Sequence, residues 1–295
     1  MQGIHREPIV LTSVRVKQQA RRNQLSRQAI LIILQLALAI IVLLPFFWMF
    51  SVSIKPESEP FSIPARLWPL APTVENYQAV LYPAFLRYML NSVIVSLLTM
   101  LISISTGLLA AYSFSRLDFP GRRVVLIAIV LAQMFPVVTM IIPIYQIVRQ
   151  IGLINTYPAL VLAYLTLTLP VSIWMLRSFI NNIPLELEEA AVVDGCTRLQ
   201  AFWRIIVPLA RPGIAATAVW IAVVTWQEFI FALAFTTSQD MRTLPVGILD
   251  FVGQFSTNYG RLMAGSVIIS MPILILFFFL QRYFIAGLTA GAVKG

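Results

Sequence analysis

Cysteine and histidine are nearly missing from this chain of 295 residues: there is one of each, Cys196 and His5. A lone cysteine excludes an intramolecular disulfide. A zinc site or a Cys-His catalytic pair would need more groups than these two residues supply. Charge is scarce too. Charged side chains make up 11% of the chain, against about 25% in a soluble domain. No GxxxxGK[ST] phosphate loop occurs, so the chain cannot bind ATP in that way. No internal repeat is apparent. The longest polar connector runs about 32 residues, 54–85, too short for a soluble domain of ordinary size.

What fills the chain instead is apolar sequence, 59% of all residues. Six runs are long enough to cross a bilayer, which takes about 20 residues. They lie near 29–53, 86–112, 124–148, 157–179, 212–235 and 262–284. The fold class expected is an all-α integral membrane protein with six transmembrane helices. The first run is too long for a signal-peptide core and lacks a small-residue cleavage site, so it reads as an uncleaved span.

The net charge of +9 raises the question of nucleic acid, and the distribution answers it. With the N-terminus in the cytoplasm, the inner segments hold 15 lysines and arginines: six in 1–28, three in 113–123, four in 177–211 and two after 281. The outer segments hold six. This positive-inside bias places both termini in the cytoplasm and gives the charge a topological role. The basic tail, 1–28, lies at the anionic lipid surface as an anchor.

Residues 185–213, LELEEAAVVDGCTRLQAFWRIIVPLARPG, form a polar island between two apolar runs. Acids cluster early, where a helix dipole favours them. Asp194-Gly195 is a turn signal. Thr197 is placed to cap a second helix that carries Phe202, Trp203 and Ile206 toward one face. Pro208 and Pro212 break that helix before the next span. A solvated connector is the plain alternative, but the apolar residues inside the loop argue for docking against a partner.

The spacing in this loop resembles the EAA motif of the membrane subunits of binding-protein-dependent ABC importers. Glu189, Ala190 and Ala191 are followed by three residues and Gly195. Nine more lead to Ile205, one more to Val207, and then comes Pro208. Val207 stands where the motif has leucine. The resemblance implies that 185–208 is a coupling helix between spans four and five. It would dock into a cytoplasmic ATPase through Glu189, Ala190, Ala191, Asp194, Gly195, Ile205 and Pro208.

Other stretches are similar to the maltose-type, carbohydrate branch of that family. They are Pro72–Tyr77, Asn91-Ser92, and the end of the chain from Gln281 to Gly295. Trp226-Gln227-Glu228-Phe229 resembles the branch's WNEF-type segment, with Gln227 in the asparagine position. The family implies a second homologous permease (MalF-like), two copies of the ATPase and an extracytoplasmic solute-binding protein as partners. It implies the bacterial inner membrane as location, with ATP and magnesium on the ATPase. This chain would then be no enzyme and would bind no cofactor. The domain plan is a tail, 1–28, a six-span permease domain, 29–284, and a C-terminal tail, 285–295, whose glycines suit an extended strand of chain.

Within the spans, residues suited to a pore or gate are Gln133 and Pro136 in span three and Trp226, Gln227 and Glu228 in span five. Pro136 and Pro143 free backbone carbonyls and kink span three. Ser92, Ser96, Thr99, Ser103 and Gly107 suit close helix packing. The Pro-rich segment 54–85 leads into a short helix near Val74 capped by Thr73, either a spacer or a contact surface. Glu228 lies in the outer part of span five, where ionised groups are costly. It is either a proton site or an acceptor of structural hydrogen bonds. A secondary transporter driven by protons through Glu228 is therefore the second reading. It leaves the EAA-like loop unexplained, and no inverted repeat supports it. A membrane enzyme has no clustered polar constellation behind it.

Overall fold

The structure, a computed structural model, describes residues 9–57, 59, 64, 66–253 and 257–292. His5 and the outermost ends of both tails, 1–8 and 293–295, lie outside the described residues. The described chain is helical, apart from one isolated antiparallel bridge between Val252 and Thr257. Among the described residues, four helices are long and apolar enough to cross a membrane by themselves: Arg27–Ser53 within α1 (Ile9–Ser53), α3 (Pro83–Arg116), α6 (Tyr157–Asn181) and Tyr259–Phe279 at the start of the last helix. Two bent pairs would bring the number to six if each is one span.

The first bent pair is α4 (Arg122–Ala132) and α5 (Val137–Gln150), which meet at 106°. Sequence predicts a kink here, and the structure makes it a near right angle. Pro136 holds an extended backbone (φ −59°, ψ 133°) and cannot donate to α4. Its carbonyl accepts from the backbone N–H and the hydroxyl of Thr139 instead, at 3.0 and 2.7 Å. Pro143 sits inside α5 without breaking it. The second pair is the loop helix ending at Leu209 and the helix Arg211–Gln227, bent by 71°.

The core is the α3–α6 contact. Ser92, Ser96, Thr99, Ser103 and Gly107 of α3 are all buried, spaced by three or four residues along one face. A Cβ on Gly107 would already stand 3.3 Å from the Ser172 Cβ, so the helices meet where the side chains are smallest. Ser103 and Thr168 bridge them by a 2.7 Å hydroxyl hydrogen bond.

Asn91 and Ser92 then fasten the far end of the bundle. The Asn91 amide donates to the carbonyls of Asp240 and Arg242 at 2.7 and 2.8 Å and accepts from the Tyr157 hydroxyl at 2.8 Å. Ser92 Oγ accepts from Leu244 N–H at 2.8 Å. One buried side chain thus ties α3, α6 and the 236–243 segment together. Asn91→Ala leaves three polar groups unpaired and is expected to destabilise the solubilised protein by about 3 kcal/mol. Thermal unfolding and faster proteolysis within 236–243 would read that loss.

The 54–85 segment is ordered where it is described. A short helix, α2 (Glu75–Val80), starts near Val74 as expected, but its N-cap is Val74 rather than Thr73, whose Oγ1 accepts from Glu75 N–H at 3.2 Å just ahead of it. Asn76 holds the carbonyls of Ser53 and Lys55 at 3.0 and 2.8 Å. Lys55 is buried over the Trp48 ring and donates to the Arg66 carbonyl at 2.6 Å. Nearby, Tyr82 and Tyr88 both donate to Asp250, which also pairs with Arg242. Burial beside that carboxylate pushes the Tyr82 phenol above its ordinary range and keeps it a donor.

Both tails are helical where they are described, and the C-terminal one departs from the extended form expected. Helix α1 begins at Ile9, so most of the basic tail continues the first span as helix. At the other end the last helix runs from Tyr259 to Ala292 rather than giving way to extended chain at 285. Gly287 and Gly291 are outnumbered there by alanine, leucine and isoleucine, and elongating an existing helix is far easier than nucleating one.

Candidate functional site

The site is the segment between α6 and α10 (Arg211–Gln227). Its first helix, α7 (Glu186–Val193), opens with Glu186, Glu188 and Glu189 in the first turn. Gly195 closes it with φ +90°, a region open to glycine and costly to other residues. Gly195 N–H bonds the Val192 carbonyl at 3.0 Å and Cys196 N–H the Ala191 carbonyl at 2.9 Å, a Schellman closure. Thr197 then starts α8 (Arg198–Ala201) with a reciprocal capping box to Gln200, at 3.3 and 2.8 Å. The expected helix-turn-helix is present with these caps.

The second half differs from expectation in two ways. Phe202 and Ile206 turn inward and are fully buried, while Trp203 is 55% exposed. Adjacent helical residues point about 100° apart, so Trp203 cannot share their face. Pro208 does not break the helix. Residues Phe202–Ile206 form a π-helical turn in which Val207 N–H reaches the Phe202 carbonyl, and Pro208 sits inside α9 (Val207–Leu209), just past that turn. A widened turn takes up the geometry at a residue with no N–H to give. The break comes at Ala210, before Pro212 at the start of α10.

The loop is anchored by packing and by one ion-pair network. Phe202, Ile206 and Ala210 join Leu108, Ala111, Leu176, Ile180 and Ile183 in a single buried cluster. Phe202 packs edge-on against Tyr112, with ring centroids 4.9 Å apart. Glu188 pairs with Arg116, the last residue of α3, and accepts from the Tyr112 hydroxyl at 3.0 Å. Sequence reading counts Glu188 only among the loop acids. Its signal is positional: Glu188 and Ala191, three apart on α7, are that helix's buried residues.

Of the other loop residues singled out from sequence, Glu189, Ala190, Asp194 and Gly195 are exposed, Ala191 is buried, and Ile205 and Pro208 are half-buried. Glu189 and Val193 face a groove of about 390 Å³ that also touches Arg198. Val193, Leu199 and Trp203 are 86%, 63% and 55% exposed, an apolar surface beside it. The helices therefore present one face to the bundle and another outward.

The span residues form no common site with the loop. Gln133 and Pro136 are exposed at the α4–α5 break. Trp226 is buried and donates to the Ile269 carbonyl at 3.0 Å, so its ring packs against the last helix. Gln227 is exposed. Glu228 interrupts the fifth apolar run rather than lying within a continuous helix: α10 ends at Gln227, and α11 (Ile230–Phe235) begins afresh. Both Glu228 carboxylate oxygens accept backbone N–H groups of that new helix, Phe231 at 2.8 Å and Ala232 at 3.1 Å. The Tyr164 phenol and Thr243 lie alongside. Tyr145 packs against Phe235, centroids 5.8 Å apart.

The profile of a family described as "Binding-protein-dependent transport system inner membrane component" matches residues 103–289. The trehalose transport permease SugB of Mycobacterium tuberculosis is 40% identical over 256 residues, 86% of this chain and 93% of that protein. The trehalose/maltose permease MalG of Thermococcus litoralis is 38% identical over 281 residues, 93% of this chain and 99% of that protein. Among solved structures, a chain of a bacterial ABC transporter for import of the polysaccharide alginate superposes with a TM-score of 0.79. It is 22% identical and covers 89% of this chain and 98% of its own, a likeness of fold.

Proposed function

Because this chain belongs to the family of binding-protein-dependent transport system inner membrane components, we propose that it carries a sugar or closely related solute across the bacterial cytoplasmic membrane by ATP-driven alternating access. Each bent pair counts as one span in this reading, giving six spans with both termini cytoplasmic. The chain pairs with a second, homologous permease and two copies of a cytoplasmic ATPase, and a soluble binding protein delivers the solute from outside. Carbohydrate is the solute class because the relatives at 40% and 38% identity are named for trehalose and for trehalose and maltose.

One observation carries the reading. The 185–208 segment is a helix pair rigidly seated on α3 and α6 that still turns Glu189, Val193, Leu199 and Trp203 outward. A solvated connector needs neither property. An ATPase seated on that face would draw the loop sideways on closing over ATP and tilt the spans attached to it. ATP and magnesium stay on the partner, and this chain performs no chemical step. The proton-driven alternative receives no support from Glu228, whose oxygens serve backbone N–H groups.

The test starts from native membranes, with the complex isolated through a tag on this chain. ATP hydrolysis is followed with the binding protein present across a panel of disaccharides, oligosaccharides and polyols. We expect the ATPase to co-purify and one class of sugar to stimulate hydrolysis. Glu189→Lys is expected to release the ATPase and stop uptake. Absence of any ATPase from the wild-type complex would reject the docking face.

A further inference from the structure

Glu188 lies one residue before the EAA-like triplet and is turned about 100° from the exposed Glu189, toward the bundle. It is 7% exposed. Its Oε1 pairs with the Arg116 Nε, and its Oε2 accepts from the Tyr112 hydroxyl at 3.0 Å. Both oxygens are therefore held by α3, from residues one turn apart. The same guanidinium donates through Nη2 to the carbonyls of Ile180 and Ile183, at 3.2 and 2.7 Å. Ile180 belongs to the last turn of α6, where carbonyls lack helical partners, and Ile183 follows its end. Three elements converge on one planar fork: the end of α3, the end of α6 and the first turn of α7.

Such a junction has a mechanical consequence. Between Asn181, the end of α6, and Glu186, the start of α7, lie four residues without regular structure. Left to themselves they would act as a hinge and absorb motion of α7. The two-oxygen grip on Glu188 fixes α7 in orientation as well as position, and the guanidinium fork passes any displacement to both long helices. Packing of Phe202 and Ile206 anchors the second loop helix, and α7 lies against that helix as well as joining it through the Gly195 turn, but these contacts leave the polar end of α7 to be held by Glu188.

We propose that Glu188 is a positioning residue for transport: with Arg116 and Tyr112 it converts a push on the outer face of α7 into coordinated movement of α3 and α6. The proposal rests on the docking reading above, with Glu189 touching the partner and Glu188 transmitting the movement. Removing the Glu188 charge then lets α7 rock on its four-residue link. The ATPase still docks and turns over, but solute moves less often per cycle.

The experiment uses the whole complex in proteoliposomes and reads uptake per ATP hydrolysed, alongside the amount of ATPase bound to the tagged chain. For Glu188→Gln we expect full ATPase content and a fall in uptake per ATP of about tenfold, the upper part of the range for residues that modulate coupling. Glu188→Asp keeps the charge and is expected to recover most of the ratio. Arg116→Gln combined with Glu188→Gln is expected to be no worse than Arg116→Gln alone. A wild-type ratio in Glu188→Gln would overturn the proposal. So would equal losses in the Gln and Asp variants, which would mark a packing role. Loss of the ATPase from Glu188→Gln would place the residue in the docking contact and overturn it as well. Failure of the docking reading shows elsewhere, as a wild-type complex without ATPase or as normal uptake by Glu189→Lys.

Discussion

Valine at position 195 is expected to reduce uptake to background while the chain still inserts and accumulates in the membrane. Gly195 sits at φ +90°, and nothing lies within 4 Å of where its Cβ would be. A clash within this chain is thus not the cause of the loss. The cost is conformational: the left-handed region is unfavourable by about 1–2 kcal/mol for an ordinary residue and worse for a β-branched one. Valine would leave that region and release the bonds from Gly195 to Val192 and from Cys196 to Ala191. Helix α7 would then lose its end, and the angle between α7 and α8 would no longer be fixed. The spans are untouched, so insertion should stand. Gly195→Asn is the informative companion, because asparagine tolerates positive φ. Uptake by the Asn variant well above that of the Val variant would place the requirement in the backbone angle. Equal loss in both would instead mean that the partner approaches Gly195 too closely for any side chain.

The loop was the most legible part of the chain because its determinants are local. A cap, a turn glycine and a capping threonine act within four residues, and α7, the Gly195 turn and the Thr197 box lie where spacing puts them. The stripe of small residues on α3 was legible for the same reason. Distant pairings were not. Arg116 and Glu188 are 72 residues apart, and only its three-residue spacing to Ala191 sets Glu188 apart from its neighbour Glu189. Asn91 likewise reads as part of a family resemblance at the start of a span, with no sign of its partners, which lie up to 151 positions away. Helix breaks were legible in place and not in size. Pro136 marks a bend, but a proline in sequence does not specify the 106° angle found there. Near Ala210 the flanking prolines mark the break, whereas at Glu228 the expected span, 212–235, runs through a position where the backbone turns. Composition carries no trace of that turn, whose far side is capped by backbone N–H groups donating to a single carboxylate.

Glu228 gives the other large effect, and two substitutions separate its possible roles. Glu228→Leu removes both acceptors from Phe231 and Ala232 N–H in a buried setting. Each orphaned donor costs about 1–3 kcal/mol, and α11 has only six residues to hold itself together. Loss of uptake and a marked drop in the melting temperature of the solubilised complex are expected. Glu228→Gln keeps one acceptor oxygen and turns an NH₂ donor toward the second N–H. It should retain part of the uptake at a cost of about 1–2 kcal/mol in stability. The uptake that remains should follow ATP and ignore a collapsed proton gradient, as in the wild type. A carrier that cycles a proton through this carboxylate predicts the reverse: uptake in the wild type would fall with the gradient at constant ATP, and the Gln variant would be insensitive to it. The geometry favours the first outcome. A proton site must present its carboxylate to water at some stage, whereas here both oxygens are bound to the first turn of α11. Protonating one of them would remove an acceptor from the cap, so each proton cycle would loosen α11. That suits a rigid support for a broken span better than a relay.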